Sequence, residues 1–403
     1  MYPPSYRALL RQRDVGRLLL AASFARLAER MLMLVLVLYA LARFHSPVLA
    51  GWVGFAAMAP GLLVSPLAGA LLDRFGSAAA IAIDMACSAG VVAGLAFLAL
   101  RHADSAAVLL VLVSLWSLSS PLSSAGVRAL LPTLVDRAAL DRVNALDTGI
   151  HAIVEVVGPA LGGAVFGLAG AGVALLVIAA LYAAGCIGLL DAARRSAGRV
   201  PRSARGLLRD AAAGVAHVLR HDALRALALV YAMYQVSWGI LLVAVPVFVT
   251  RALGGGAHVA GVVGAVWAIS GVAGGLGALA AGHLGALGRE RGVIACGILA
   301  TAAAIFPLGA GVGLVGMGGG LALVGFLAGP VDVGVLTLRQ RRTDPAWLGR
   351  VMAVSMSLNL SGLPIGSALG GALCLWWLPG AFGVAAGACV MAGVGAWWLL
   401  PRR

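Results

Sequence analysis

Apolar residues run along this chain in long blocks, each closed by a short cluster rich in charge, glycine or proline. A bilayer core takes about twenty mainly apolar residues per helix. Blocks of that length fall near 18–42, 48–72, 78–100, 106–130, 143–167, 172–190, 226–250, 259–282, 293–312, 319–338, 351–375 and 380–400. The pattern predicts an all-helical membrane protein with about twelve spans.

The second half of the chain repeats the first. Gly126-Val127, Arg142-Val143 and Gly158-Pro159-Ala160-Leu161-Gly162-Gly163-Ala164 return as Gly334-Val335, Arg350-Val351 and Gly366-Ser367-Ala368-Leu369-Gly370-Gly371-Ala372. Internal duplication of a hydrophobic polytopic chain is characteristic of transporters, whose pseudo-symmetric halves enclose a substrate path. The expected domains are an N-terminal six-helix bundle over 1–190, a basic cytoplasmic linker over 191–225 and a C-terminal six-helix bundle over 226–403. Within the linker, Leu207 to Leu219 interleaves apolar residues with Arg and Asp. That suits a helix on the membrane surface, and it equally suits a solvated connector.

Composition sharpens the class. Hydrophobic residues make up 62% and charged residues 11%, about half the charge of a soluble domain. All 29 basic residues are arginine. With the first end assigned to the cytoplasm, only Arg43, Arg101 and Arg251 face outward, as the positive-inside rule requires when both termini are cytoplasmic. The net charge of +14 is therefore topological, and no nucleic-acid partner is expected. The basic start runs into a full-length span, so no cleavable signal peptide is expected. The 56 glycines suit close helix packing. No ATP-binding motif, cofactor motif or metal-ligand spacing stands out, and the five cysteines suggest no disulfide framework.

Gly69-Ala70-Leu71-Leu72-Asp73-Arg74-Phe75-Gly76, between the second and third spans, resembles the signature loop of the major facilitator superfamily. The resemblance implies that Asp73 and Arg74 act as gate residues. The Gly158-Pro159-x-x-Gly162-Gly163 run resembles the motif of exporters in that superfamily, especially drug/proton antiporters. The segment from Pro132 through Asn144-Ala145-Leu146 to Gly163 is similar to the group containing macrolide and siderophore efflux proteins. Proline bends a helix and flanking glycines admit a neighbour, so Gly158 and Pro159 suit a moving seam. A tolerated kink is the plainer reading. Where proton-coupled relatives carry an arginine motif in the fourth span, this chain has Ser114-Leu115-Trp116-Ser117-Leu118-Ser119-Ser120.

Ionisable residues inside a membrane are costly and need a reason. Arg26, Glu29 and Arg30 share the first span, with Glu29 about 16 Å below its cytoplasmic end. Arg26 and Glu29, three apart, can pair on one face. Either Glu29 is a proton site tuned by the arginines, or the arginines bind an anionic substrate, or the cluster only holds the bundle together. Asp147, His151 and Glu155 recur every four residues and form a stripe on the fifth span, with Glu155 roughly 18 Å deep. Such a series can pass protons, with Glu155 as principal carrier and His151 as relay. Asp147 can instead simply partner Arg142 or Arg350. Asp84 is expected in an interhelical pair, whereas Asp332 is favoured for function because, by the resemblance, the tenth helix lines the cavity. Tyr231, Tyr234, Gln235 and Trp238 follow helical spacing on the seventh span and offer an amphipathic surface for substrate, with Asn359 a weaker addition.

The expected function is proton-coupled export of a small organic, drug-like or siderophore-like compound across the bacterial inner membrane by alternating access. An importer or lipid flippase on the same scaffold, or a transporter-like receptor or scaffold, are the alternatives. Lipid, protons and substrate are the expected partners, no enzyme activity is expected, and the chain is expected to act as a monomer.

Overall fold

A computed structural model describes residues 6–136, 139–196, 215–256, 258–284, 290–344 and 348–401. The described residues are helical throughout apart from turns and short 3-10 segments. A short α1 (Tyr6–Arg11) leads into α2 (Arg13–Phe44), α3 (Pro47–Phe75), α4 (Ser77–Arg101), α5 (Ala106–Leu130) and α6 (Leu140–Ser196). After the linker come α7 (Asp222–Leu253), α8 (His258–Leu284), α9 (Glu290–Ile305), α10 (Gly313–Arg341), α11 (Leu348–Leu360), α12 (Gly362–Trp376) and α13 (Leu378–Leu399).

Ten segments among the described residues are long and apolar enough to cross a membrane. One of them, Arg142–Leu190, has 49 residues, or about 73 Å of helix, enough for two crossings. It breaks at Gly170, where φ is 81° and ψ 173°, a conformation open to glycine and costly for other residues. Helix α2 is less apolar than these because Arg13, Asp14, Arg17, Arg26, Glu29, Arg30 and Arg43 lie along it. Counting α2, dividing α6 at Gly170 and joining α11 to α12 gives the twelve helices that the apolar blocks predict. Between α3 and α4 the chain reverses at Gly76, whose φ is 80°. The final glycine of the signature octapeptide is thus the residue that only a Cβ-free backbone adopts readily.

The chain forms two compact units, Met1–Val35 with Leu63–Leu208, and Leu36–Leu62 with Arg209–Arg403. In the first, α4 packs on both α5 and α6. Trp116 of α5, 1% exposed, donates to the Tyr182 hydroxyl at 3.2 Å, so the largest side chain of this core carries its polar atom satisfied.

In the second unit α7 packs against α12 and α13, and α8 against α10. The start of α3 also belongs here. A Cβ on Gly51 would lie 2.5 Å from the Ser367 carbonyl oxygen and 2.9 Å from the Gly371 Cα, and Ser367 Oγ donates to the Gly51 carbonyl at 3.1 Å. Helix backbones meet directly at this seam. The described end of the linker is helical over 215–220. Its Val218 is fully buried with Leu224, Ala228 and Val351, so that stretch packs into the second unit. Most of Leu207 to Leu219 lies outside the described residues.

Candidate functional site

The first unit concentrates its buried charge where α6 crosses α2. A Cβ at Gly158 would overlap the Cβ of Arg30, and one at Gly162 would stand 3.2 Å from the Met31 Cα. Glycine at both positions therefore lets α6 ride on the α2 backbone. One turn before Gly158, the same approach brings Glu155 onto Arg30. Arg30 Nη2 and Glu155 Oε1 are 2.7 Å apart, and His151 Nε2 lies 3.3 Å from that same oxygen. Two turns earlier, Arg26 forms a two-pronged bond with Asp147, Nη1 to Oδ1 at 2.7 Å and Nη2 to Oδ2 at 3.1 Å.

These pairings differ from the sequence expectation at two points. Arg26 is held by Asp147 on α6, not by Glu29 on its own helix, because the crossing offers a carboxylate with fork-matching geometry. Asp147 takes Arg26 as its partner, while Arg142 lies over the Tyr6 ring at 5.8 Å. Glu29 has no ion pair or hydrogen bond among the described residues.

Asp84 on α4 is 2% exposed. Ser88 Oγ, on the same helix, donates to it at 3.4 Å, while Ser119 Oγ of α5 donates to the Trp116 carbonyl at 3.2 Å. Among the described residues, the hydrogen bond to Asp84 therefore comes from its own helix, where an interhelical pair was expected.

The second unit holds the other cluster. Tyr231 of α7 donates to Asp332 Oδ1 of α10 at 2.6 Å. Both border a cavity of about 150 Å³ whose wall also includes Arg339, Asn359, Val335, Leu336 and Leu360. In the orientation that satisfies both neighbours, the Asn359 carboxamide accepts from the Arg339 guanidinium and donates to the Ser355 carbonyl at 3.1 Å. The aromatic stripe on α7 divides. Tyr231 reaches the cavity, whereas Tyr234 and Gln235 are buried at 1% and 7% exposure. Trp238 packs edge-on to Tyr234, with centroids 6.4 Å apart, and tilts against Trp267 at 6.2 Å.

Arg339 is the cavity residue that sequence reasoning left with the topological arginines, because it lies near the cytoplasmic end of its span. A signal was present: Arg339 stands seven residues after Asp332, on the same face of α10. Asp73 and Arg74 end α3, but their side chains lie outside the described residues.

Comparison with known proteins bears on the family and the fold. Residues 18–227 and 227–403 each match the sequence model described as Major Facilitator Superfamily. An uncharacterized MFS-type transporter, y4rN, of Sinorhizobium fredii (strain NBRC 101917 / NGR234) is 46% identical over 392 residues, covering 97% of this chain and 96% of the relative. The multidrug efflux pump Tap of Mycobacterium tuberculosis (strain ATCC 25618 / H37Rv) is 29% identical over 185 residues, 44% of each protein. Among solved structures, the nucleoside transporter NupG superposes with a TM-score of 0.76 at 13% identity, covering 96% of this chain and 98% of that one. A bacterial homologue of the iron transporter ferroportin, in an inward-facing state, gives 0.73 at 19% identity, covering 96% and 98%. At such identities the structural likeness speaks for the fold alone.

Proposed function

This chain belongs to the major facilitator superfamily and is a multi-pass membrane transporter, not an enzyme; from that premise we propose that it exports a small amphipathic organic compound from the cytoplasm in exchange for protons. The observation that carries the reading is the shared oxygen of Glu155, held at once by Arg30 and His151 beside the Gly158 crossing.

Protonating Glu155 removes the charge that holds Arg30, and the freed guanidinium then has Glu29, its neighbour in sequence, as an alternative anion. A proton at this place therefore changes which helices are tied together. Substrate opposes or assists that change only through its different affinity for the two facing states. His151 is placed to receive and pass the proton, and Asp147 with Arg26 keeps the crossing in register. In the second unit, Tyr231, Trp238, Asn359 and Asp332 supply the surface for the compound.

Export is supported by the Gly158-Pro159-x-x-Gly162-Gly163 run and by the partial relationship to an efflux pump. In this reading both termini lie in the cytoplasm and the protein in a bacterial inner membrane, a topology that the arginine distribution supports. The chain works as a monomer, with Asp73 and Arg74 as its cytoplasmic gate.

The test is accumulation of dyes, antibiotics and siderophores in efflux-deficient cells carrying wild type, Glu155→Gln or empty vector, with and without an uncoupler. Wild type lowers accumulation of at least one compound, and the variant or the uncoupler returns it to the vector level. Raised accumulation in wild-type cells would overturn export, and lowering that survives the uncoupler would overturn proton coupling.

A further inference from the structure

Arg339 is 4% exposed, yet among the described residues no carboxylate stands within ion-pair distance of it. Its bonded neighbour is the neutral carboxamide of Asn359. Two residues on, Arg341 shows the ordinary arrangement and pairs with Glu290. A buried guanidinium without an anion is expensive to keep, and this one borders a cavity. The position at the end of α10 compensates part of its charge through the helix dipole. That effect explains a cation near the helix end, but not why this one faces a cavity containing an acid.

The acid is Asp332, seven residues earlier on the same face and about 10 Å along the axis. Helical side chains lean toward the N-terminus, and Arg339 and Asp332 border the same cavity. Val335, Leu336 and Leu360 supply apolar wall around the two poles, and Tyr231 fixes the Asp332 carboxylate at 2.6 Å. A cavity of about 150 Å³ takes a charged head group and leaves the apolar body of the compound outside.

We propose that Arg339 and Asp332 are the two poles of a binding site for the head group of a zwitterionic amphipathic compound, Arg339 taking its carboxylate and Asp332 its ammonium. The proposal rests on the reading of the chain as a carrier of amphipathic organic molecules and names the chemical class it carries. Asn359 positions the guanidinium, and Tyr231 positions the acid.

The test uses purified full-length protein in lipid nanodiscs and three fluorescent probes that differ only in head group: ε-dansyl-lysine, dansylcadaverine without the carboxylate, and dansyl-6-aminohexanoic acid without the ammonium. Wild type binds ε-dansyl-lysine about ten- to a hundredfold more tightly than either partial probe, the range for a charged hydrogen bond. Arg339→Gln removes the preference over dansylcadaverine while leaving dansylcadaverine binding unchanged, and Arg339→Lys restores part of it. Asp332→Asn removes the preference over the acid probe. Retained dansylcadaverine binding and an unchanged melting temperature show that Arg339→Gln still folds. Equal affinity of wild type for the three probes, or equal weakening of all three by Arg339→Gln, would overturn the proposal. The binding readout does not depend on transport direction or on proton coupling, so failure of the export reading in cells and failure of this site are seen separately.

Discussion

The crossing of α6 on α2 and that of α12 on α7 use equivalent glycines, Gly158 with Gly162 in one and Gly366 with Gly370 in the other. In the first, a Cβ at Gly158 would strike the Arg30 side chain, and the surrounding face carries Glu155, His151, Asp147 and Arg26. In the second, a Cβ at Gly366 would strike the Val236 backbone, and one at Gly370 would lie 2.9 Å from the Ile240 Cα. The positions matching Asp147, His151 and Glu155 there are Ser355, Asn359 and Leu363. Duplication thus preserved the close approach and not the charge. Small residues specify how near two helices come, and the residues one turn away specify what that nearness is used for.

The largest effect is expected from Gly366→Ala. Its methyl group meets backbone that no rotamer change can move, so destabilisation of about 3 kcal/mol or more is expected, at the upper end for overpacking. A large fall in the melting temperature of the detergent-solubilised protein would show it. Gly158→Ala meets the root of a side chain and should cost less, about 1 to 3 kcal/mol. Its transport in the accumulation assay should nevertheless fall to the vector level, because separating α6 from α2 also separates Glu155 from Arg30. If the two alanine variants lost stability and transport in parallel, the charged crossing would have no role beyond packing.

The two ion pairs of the first unit sharpen the same point. A double-mutant cycle on Arg26→Gln and Asp147→Asn should give a coupling of about 2 kcal/mol, since the two-pronged bond is mostly shielded, with side chains 17% and 20% exposed. The equivalent cycle on Arg30→Gln and Glu155→Gln should give about 1 kcal/mol or less, because those side chains are 37% and 38% exposed and water screens them. The weaker pair is the one expected to govern transport: a contact that must open during a cycle cannot be the one that holds the bundle shut. A coupling larger for Arg30 and Glu155 than for Arg26 and Asp147 would reverse these roles.

The helices were legible in the sequence because bilayer thickness dictates the length of each apolar block. Gly76 and Gly170 were visible only as residues, since the left-handed backbone that gives them meaning is set by where neighbouring helices turn. Of the charged residues, the stripe on α6 was read from periodicity alone. Its partners were not, because periodicity reports neighbours on one helix, whereas Arg26 and Arg30 find their anions on another. Arg339 was hidden for a related reason. Counting arginines by their distance from a span end assigns topology, and says nothing of the face on which Asp332 precedes it.

The seam where Gly51 meets Gly371 and Ser367 has a different reach from the ionic crossing. Contacts between main-chain atoms draw on dispersion, which loses a quarter to a half of its strength once a gap of about 0.5–1 Å opens. Charges go on attracting one another over several ångströms. The backbone contacts of the second unit therefore hold only at close range, and the charged crossing of the first unit attracts over a longer one.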